Sequence, residues 1–324
     1  MAGVSKTKEV KKNKVKNLPP KNIQLRAFAI SPQDPKITTQ SASIVELLTK
    51  KLNETTAGER VVLLNKDDPS KISDSLPYFD IRNKDKNRIV LGVIMKISMS
   101  ENVQFVANNL LKQQKFSVAQ MKANHTNGNQ VYLSHYYFAL NNKFLVTNLP
   151  MNTTIRGFQA FMNTIIKDHL FEFTPLVETA PEFRIADLKQ LSITDPSIHK
   201  TTENSTKGIK RKWVILKNSL LKMILKDIKG LDEVEAARVI SAKLLLKFIK
   251  PKDMSDDDYK KIMGFCLKPI SDLENVVFTN KKKQSFSADK LLKTEVVPID
   301  RNEDGFISEP QLWDSMTSFI AKLK

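Results

Sequence analysis

Apolar and polar side chains alternate where the patterned part of the chain begins: Ile23, Leu25, Ala27 and Ala29 interleave with Gln24, Arg26 and Phe28 as far as Ser31-Pro32. A period of two sorts side chains onto opposite faces of a strand, so the spacing predicts a first strand here. From Ser43 to Leu52 the period lengthens, with Ile44, Leu47, Leu48 and Leu52 at helical spacing behind a serine cap. Arg60–Leu64 and Ile89–Ile97 read as strands, with a polar turn over Asn83–Arg88. Met99–Gln113 reads as a short helix and Lys115–Met121 as an extended segment. The clearest hairpin spans Val131–Leu149, where two apolar and aromatic runs flank Asn141-Asn142, residues that accept left-handed backbone at low cost. Thr153 or Thr154 then caps a helix running to His169, with Ile155, Phe158, Phe161, Met162 and Ile165 on one face.

The pattern fails between Pro175 and Lys212, which contains Pro181, Pro196 and a polar stretch over 199–208. A domain boundary or loop is expected near 196–210. Helical spacing resumes over Trp213–Ile228, and Ala236–Ile249 is compatible with helix or strand. Ser255 caps a helix whose first turn carries Asp256, Asp257 and Asp258, carboxylates that suit the positive end of a helix. Val276-Val277-Phe278 reads as a strand, and a strand, hairpin and helix occupy Val296–Lys324. The expected fold class is therefore α+β. An antiparallel-sheet N-terminal domain with helices covers 23–195, a basic flexible loop 196–212, and a smaller α+β C-terminal domain 213–324. Residues 1–22 hold seven lysines against one glutamate and almost no large apolar side chain, which predicts a disordered basic arm.

Charge changes this picture from architecture to partner. Lysine and arginine total 52 against 35 acids, a net +17 and a pI near 9.7, and such a surface attracts polyanions. Lys200–Lys229 carries nine basic residues against Glu203 and Asp227. Lys207, Lys210, Arg211 and Lys212 precede a helix bearing Lys217, and Lys281, Lys282 and Lys283 form a separate cluster. These eight are the candidate nucleic-acid-binding residues, suited to following phosphates without reading bases. Trp213 either stacks on a base or anchors its helix to a core. DNA is expected ahead of RNA, with no RNP-like or zinc-knuckle pattern to mark the latter.

Catalytic chemistry finds little support. A single cysteine, Cys266, excludes an internal disulfide and any multi-cysteine metal site. The four histidines, His125, His135, His169 and His199, are scattered, and no Walker loop, nucleophile elbow or dinucleotide fingerprint occurs. No catalytic residue, metal or cofactor is expected. Asp67-Asp68 and Asp256-Asp257 would suit a metal-dependent nuclease, yet both sit beside turn or cap signals. Asp300–Gln311 matches a calcium loop in part, but Gln311 stands where a bidentate glutamate is required and Pro298 spoils the entering helix. The competing reading is a hairpin turning at Asp304-Gly305, then a helix capped by Ser308 with Gln311 completing a capping box. No apolar run approaches the roughly 18–20 residues of a membrane span, and Met1–Asn22 lacks a signal-peptide core. A cytoplasmic location follows as an expectation.

The carboxyl-terminal third resembles the RexA family, cytoplasmic components of the lambda phage Rex exclusion system. The likeness lies in Lys247-Phe248-Ile249-Lys250-Pro251-Lys252, the acid-capped helix to Leu267-Lys268-Pro269, and Val276–Phe278 with its lysine-rich turn. It continues through Ala288-Asp289, Asp304-Gly305 and Ile307-Ser308, and the layout of 131–166 also suits the family. The resemblance implies a sequence-tolerant DNA-binding protein that forms a homo-oligomer, senses infecting phage and signals to an integral-membrane effector. It implies no enzyme activity and assigns no individual binding residue. Two other classes stay open at this point: a metal-dependent nuclease, and a basic adaptor for an acidic protein or membrane surface.

Overall fold

The computed structural model describes residues 18–34, 43–64, 72–84, 87–98, 105–106, 108–123, 130–150, 155–178, 188–194, 243–247, 249–267, 276–280, 285–287, 291–302 and 305–323. Outside them lie residues 1–17 of the arm expected over 1–22, the caps Thr153 and Thr154, the loop 196–212, the helix 213–228 and the pair Asp67-Asp68, whereas Lys21 and Asn22, at the end of that expected arm, already belong to the first strand. The chain divides into two compact units, one built from residues up to 174 together with 294–324, the other from 175–293. Both contain antiparallel sheet and helix, the α+β class expected.

Among the described residues the first unit is organised on nine strands: β1 (Lys21–Pro32), β2 (Val61–Val62), β3 (Ser73–Lys84), β4 (Asn87–Ser98), β5 (Phe105–Val106), β6 (Gln130–Leu140), β7 (Phe144–Thr147), β8 (Phe171–Pro175) and β13 (Thr294–Ile299). Their order is β13-β1-β7-β6-β4-β3-β2, with β5 beside β6 and β8 beside β1. Residues 294–324 were expected with the second domain. Instead β13 pairs with β1, Ile23 opposite Val297 and Leu25 opposite Glu295. Pro298 is tolerated there because β13 is an outer strand, with no partner on its far side among the described residues.

Alternation along these strands sends two sets of side chains to two faces. On one face Phe28, Ile30, Phe79, Val90, Ile94, Tyr136, Phe138 and Leu145 meet α1 (Ile44–Glu54) and α4 (Ile155–Ile166). Phe158 of α4 is the hub, edge-on to Phe138 and Phe173 at 5.5 and 5.3 Å between centroids. Gly92 is opposite Phe138 on the neighbouring strand, and a Cβ there would lie 2.5 Å from that ring, so only glycine fits. The other face receives α6 (Glu309–Lys322) through Leu312, Trp313, Met316, Phe319 and Ile320. Trp313 stacks on Tyr78 at 5.2 Å and meets Tyr137 edge-on.

The hairpin turn does a second task. Asn141 Oδ1 accepts from the N–H groups of Lys143 and Phe144, closing the turn, while Asn142 Oδ1 accepts from Val45 N–H and Ser43 Oγ at the start of α1. Ser43 itself accepts from Glu46 N–H, the cap expected from the sequence.

Three local readings are corrected. Lys115–Met121, expected as extended, contains α3 (Val118–Ala123), because Ser117 and Gln120 form a reciprocal capping box. The helix expected over 99–113 is, among its described residues, β5 followed by the single turn α2 (Asn108–Leu111). Arg60–Leu64 supplies only the two-residue β2, and Arg60 turns inward, 1% exposed. Its guanidinium donates to Leu76 O at 2.8 Å and to the carbonyls of Leu52, Thr55 and Gln114, and lies over the Phe79 ring. Burial lowers its pKa to about 10, so this cation belongs to the core and not to a polyanion surface.

Among its described residues the second unit holds a four-stranded antiparallel sheet of order β10-β9-β11-β12, from β9 (Leu188–Thr194), β10 (Lys243–Lys247), β11 (Val276–Asn280) and β12 (Ser285–Ser287). β9 lies within the stretch whose pattern had failed. α5 (Asp256–Leu267) is capped by Ser255, which accepts from Asp258 N–H, as its acidic first turn predicts.

Candidate functional site

A cleft of about 1140 Å³ opens in the first unit where the sheet loses a strand. β7 is only four residues long and pairs with β1 over Arg26–Ala29 and with β6 over Phe138–Leu140. Beyond Thr147 the chain leaves the sheet, while β1 continues back to Lys21 and β6 back to Gln130. The cleft lies between these continuing strands. Lys21, Asn22, Gln24 and Arg26 line it from β1, His135 and Tyr137 from β6, and Asn148–Pro150 close its inner end. Asn302, Phe306 and Glu309 contribute from the segment after β13, and Phe306 is 45% exposed.

One wall carries an ordered chain of hydrogen bonds. The Tyr137 hydroxyl donates to Glu309 Oε1 at 2.9 Å. His135 Nε2 lies 3.1 Å from the Tyr137 oxygen, and Tyr132 Oη lies 2.5 Å from His135 Nδ1. Since Tyr137 spends its proton on Glu309, a neutral His135 must donate from Nε2 and accept from Tyr132 at Nδ1. Burial first, and then the neighbouring Glu309 carboxylate, push the Tyr137 pKa far above its ordinary value. Burial raises that of Tyr132 as well. Both phenols are therefore neutral donors at physiological pH. Tyr137 is further fixed by its backbone, whose N–H donates to Asn148 Oδ1 at 2.6 Å.

The described residues of the loop 300–311 are arranged as a hairpin. Arg301 bridges to Ile307, Asn302 Oδ1 accepts from Phe306 N–H, and Gly305 takes φ +81°. Gln311 does not close a capping box on Ser308; its side chain accepts from Asp300 N–H at 2.7 Å. Arg301 Nε donates to Pro19 O, which ties the residues preceding β1 to this hairpin.

All eight candidate phosphate contacts, Lys207, Lys210, Arg211, Lys212, Lys217, Lys281, Lys282 and Lys283, lie outside the described residues, as do Trp213, His125 and His199. Asp256 and Asp257 pair with Lys250 and Lys260 at the start of α5, a helix-end role. Among the described residues no three His, Cys, Asp or Glu side chains converge as metal ligands. None of their helices is long and apolar enough to cross a membrane. No family model and no curated protein matches this chain. The His135 network was missed in the sequence because its acid, Glu309, is 172 residues from Tyr137. Only the crowding of Tyr132, His135, Tyr136 and Tyr137 on one strand hinted at it.

Proposed function

We propose that this chain is a sequence-tolerant DNA-binding protein, and the distribution of its charge carries the reading. Residues 1–22, 200–229 and 281–283 together hold nineteen of the 52 basic residues and three of the 35 acids. The remainder is nearly neutral, with thirty-three against thirty-two. Where that remainder is described, acids and bases meet each other: Arg82 with Asp80 and Asp314, Lys96 with Asp74, Lys322 with Glu295. The excess is thus segmental. Concentrated lysine and arginine with few acids is the composition that follows a phosphate backbone and displaces its counterions without reading sequence.

The likeness to the RexA family supports placing this binding in a cytoplasmic phage-exclusion system. There a self-associated protein senses phage DNA or its complexes and signals to an integral-membrane effector. Gel shifts with unrelated duplexes test the binding. Similar affinities that fall steeply with salt are expected, whereas tight, salt-insensitive binding to one sequence would exclude the reading.

A further inference from the structure

We propose that the cleft is a binding site for one unstacked nucleotide, its base lying on the Phe306 ring and its edge met by carboxamides of β1. This goes beyond the DNA-binding reading, whose contacts are segmental cations that read no base, and it rests on different residues. At about 1140 Å³ the cleft is ample for such a ligand, since small-molecule pockets run from roughly 300 to 1,000 Å³. Asn22 and Gln24 are exposed, and their period of two sets them on one side of β1, about 7 Å apart. Neither carboxamide is engaged by another described residue. The register that sets Lys21 opposite Ile299 brings the hairpin after β13 to the Lys21 end of the cleft, where Arg301 Nε donates to Pro19 O. Phe306 stands in that hairpin with 45% of its surface exposed. Asn302 fixes it from two directions: its N–H donates to Phe306 O at 2.9 Å, and its Oδ1 accepts from Phe306 N–H at 2.8 Å. An exposed ring on a locked backbone is a stacking platform for a base.

The lining specifies the ligand by what each group still has to give. A carboxamide offers donor and acceptor side by side, the complement of a nucleobase edge. Asn148 spends Oδ1 on Tyr137 N–H, and Asn302 spends its own on Phe306, so both present amide N–H donors to ring nitrogens or carbonyls. Leu149, Pro150 and Ile307 add apolar surface for the flat face of a base. Lys21 lines the cleft and forms no ion pair with another described residue, which leaves its ammonium for a phosphate. The acid of the lining, Glu309, lies against Tyr137 on the β6 side, so the anionic end of the ligand belongs on the β1 side. A base within a duplex has its faces covered by its neighbours and its edge by its partner. The ligand is therefore an unpaired nucleotide, either free or displayed by a single strand.

Fluorescence of 2-aminopurine, a base analogue quenched by stacking, tests this with the full-length protein. Two probes carry the analogue: its free nucleoside 5′-monophosphate, and a thymidylate pentamer with the analogue at its centre. Quenching of either probe supports the site, and the tighter of the two identifies the source as free nucleotide or single strand. Phe306→Ala should weaken binding roughly fivefold or more, the low end of base–aromatic stacking, while Phe306→Tyr keeps it. Asn22→Ala combined with Gln24→Ala, both at exposed positions, should weaken it several-fold at an unchanged thermal midpoint. Lys21→Gln should remove the preference for the monophosphate over the uncharged nucleoside. Should Phe306→Ala misfold, the double carboxamide variant makes the same test. No quenching of either probe in the low millimolar range, quenching undiminished by Phe306→Ala, or displacement of the monophosphate by glucose as readily as by adenosine monophosphate would overturn the site. Duplex gel shifts depend on the segmental cations and are indifferent to these variants, so either reading can fail alone.

Discussion

Arg60→Met removes a guanidinium that joins the carboxyl end of α1, strand β3 and the segment before α3 through four backbone carbonyls. Two effects oppose each other. Hydrogen bonds from a charged donor contribute about 1.5–3 kcal/mol each, so losing the three shortest, to Leu76, Thr55 and Gln114, costs on the order of 4–9 kcal/mol. Relief comes from no longer burying a cation: burial lowers the pKa from 12.5 to about 10, equivalent to about 3.5 kcal/mol at about 1.4 per unit. The hydrogen bonds win, and a net destabilisation of about 1–6 kcal/mol is expected. Urea denaturation followed by circular dichroism measures it as a lower midpoint at unchanged slope. Arg60→Lys keeps the charge without the planar fork and should restore only part of the loss. A midpoint that is unchanged or raised in Arg60→Met would refute the reasoning, because it would mean that the carbonyls find other partners at no cost.

Gly92→Ala drives a methyl into the Phe138 ring and should destabilise the first unit by about 1–3 kcal/mol. Combining it with Phe138→Leu should recover part of that loss in a double-mutant cycle, and strict additivity would show that the two residues do not meet. Tyr136 and Tyr137 both have raised pKa values, so above pH 10 the unfolded chain releases protons that the folded chain keeps. Stability should then fall as pH rises, by about 1.4 kcal/mol per unit for each tyrosine until its folded-state pKa is reached. Absorbance at the phenolate band, recorded against denaturant midpoint, should show both phenols ionising only on unfolding.

What the sequence made legible was local. The period of β1, the serine caps of α1 and α5 and the asparagine turn between β6 and β7 each depend on a few adjacent residues. β3 escaped notice because Leu76-Pro77 interrupts its alternation; the pairing with β4 shifts register there, and Pro77 O accepts from Phe116 N–H. The capping box of α3 was present as Ser117-x-x-Gln120 and was outweighed by the apolar run around it. Pairing of β1 with β13 joins residues more than 260 apart, and no short-range pattern announces it. The cleft is likewise a consequence of register, since it exists because β7 stops four residues after it starts while its neighbours continue. Charge was legible as an excess and not as an allocation. The buried Arg60 and the paired Arg82 and Lys96 are basic side chains that the fold itself uses.

The salt dependence of DNA binding by the Lys210→Ala, Arg211→Ala, Lys212→Ala variant, beside that of the wild-type chain, tests the segmental-charge account most directly. Binding to several unrelated duplexes should weaken to the same extent for each. The slope of log K against log salt should flatten by up to about three, near one for each cation withdrawn from a phosphate. Unchanged affinity and slope would contradict the account, leaving the charge of this segment as a solvated surface.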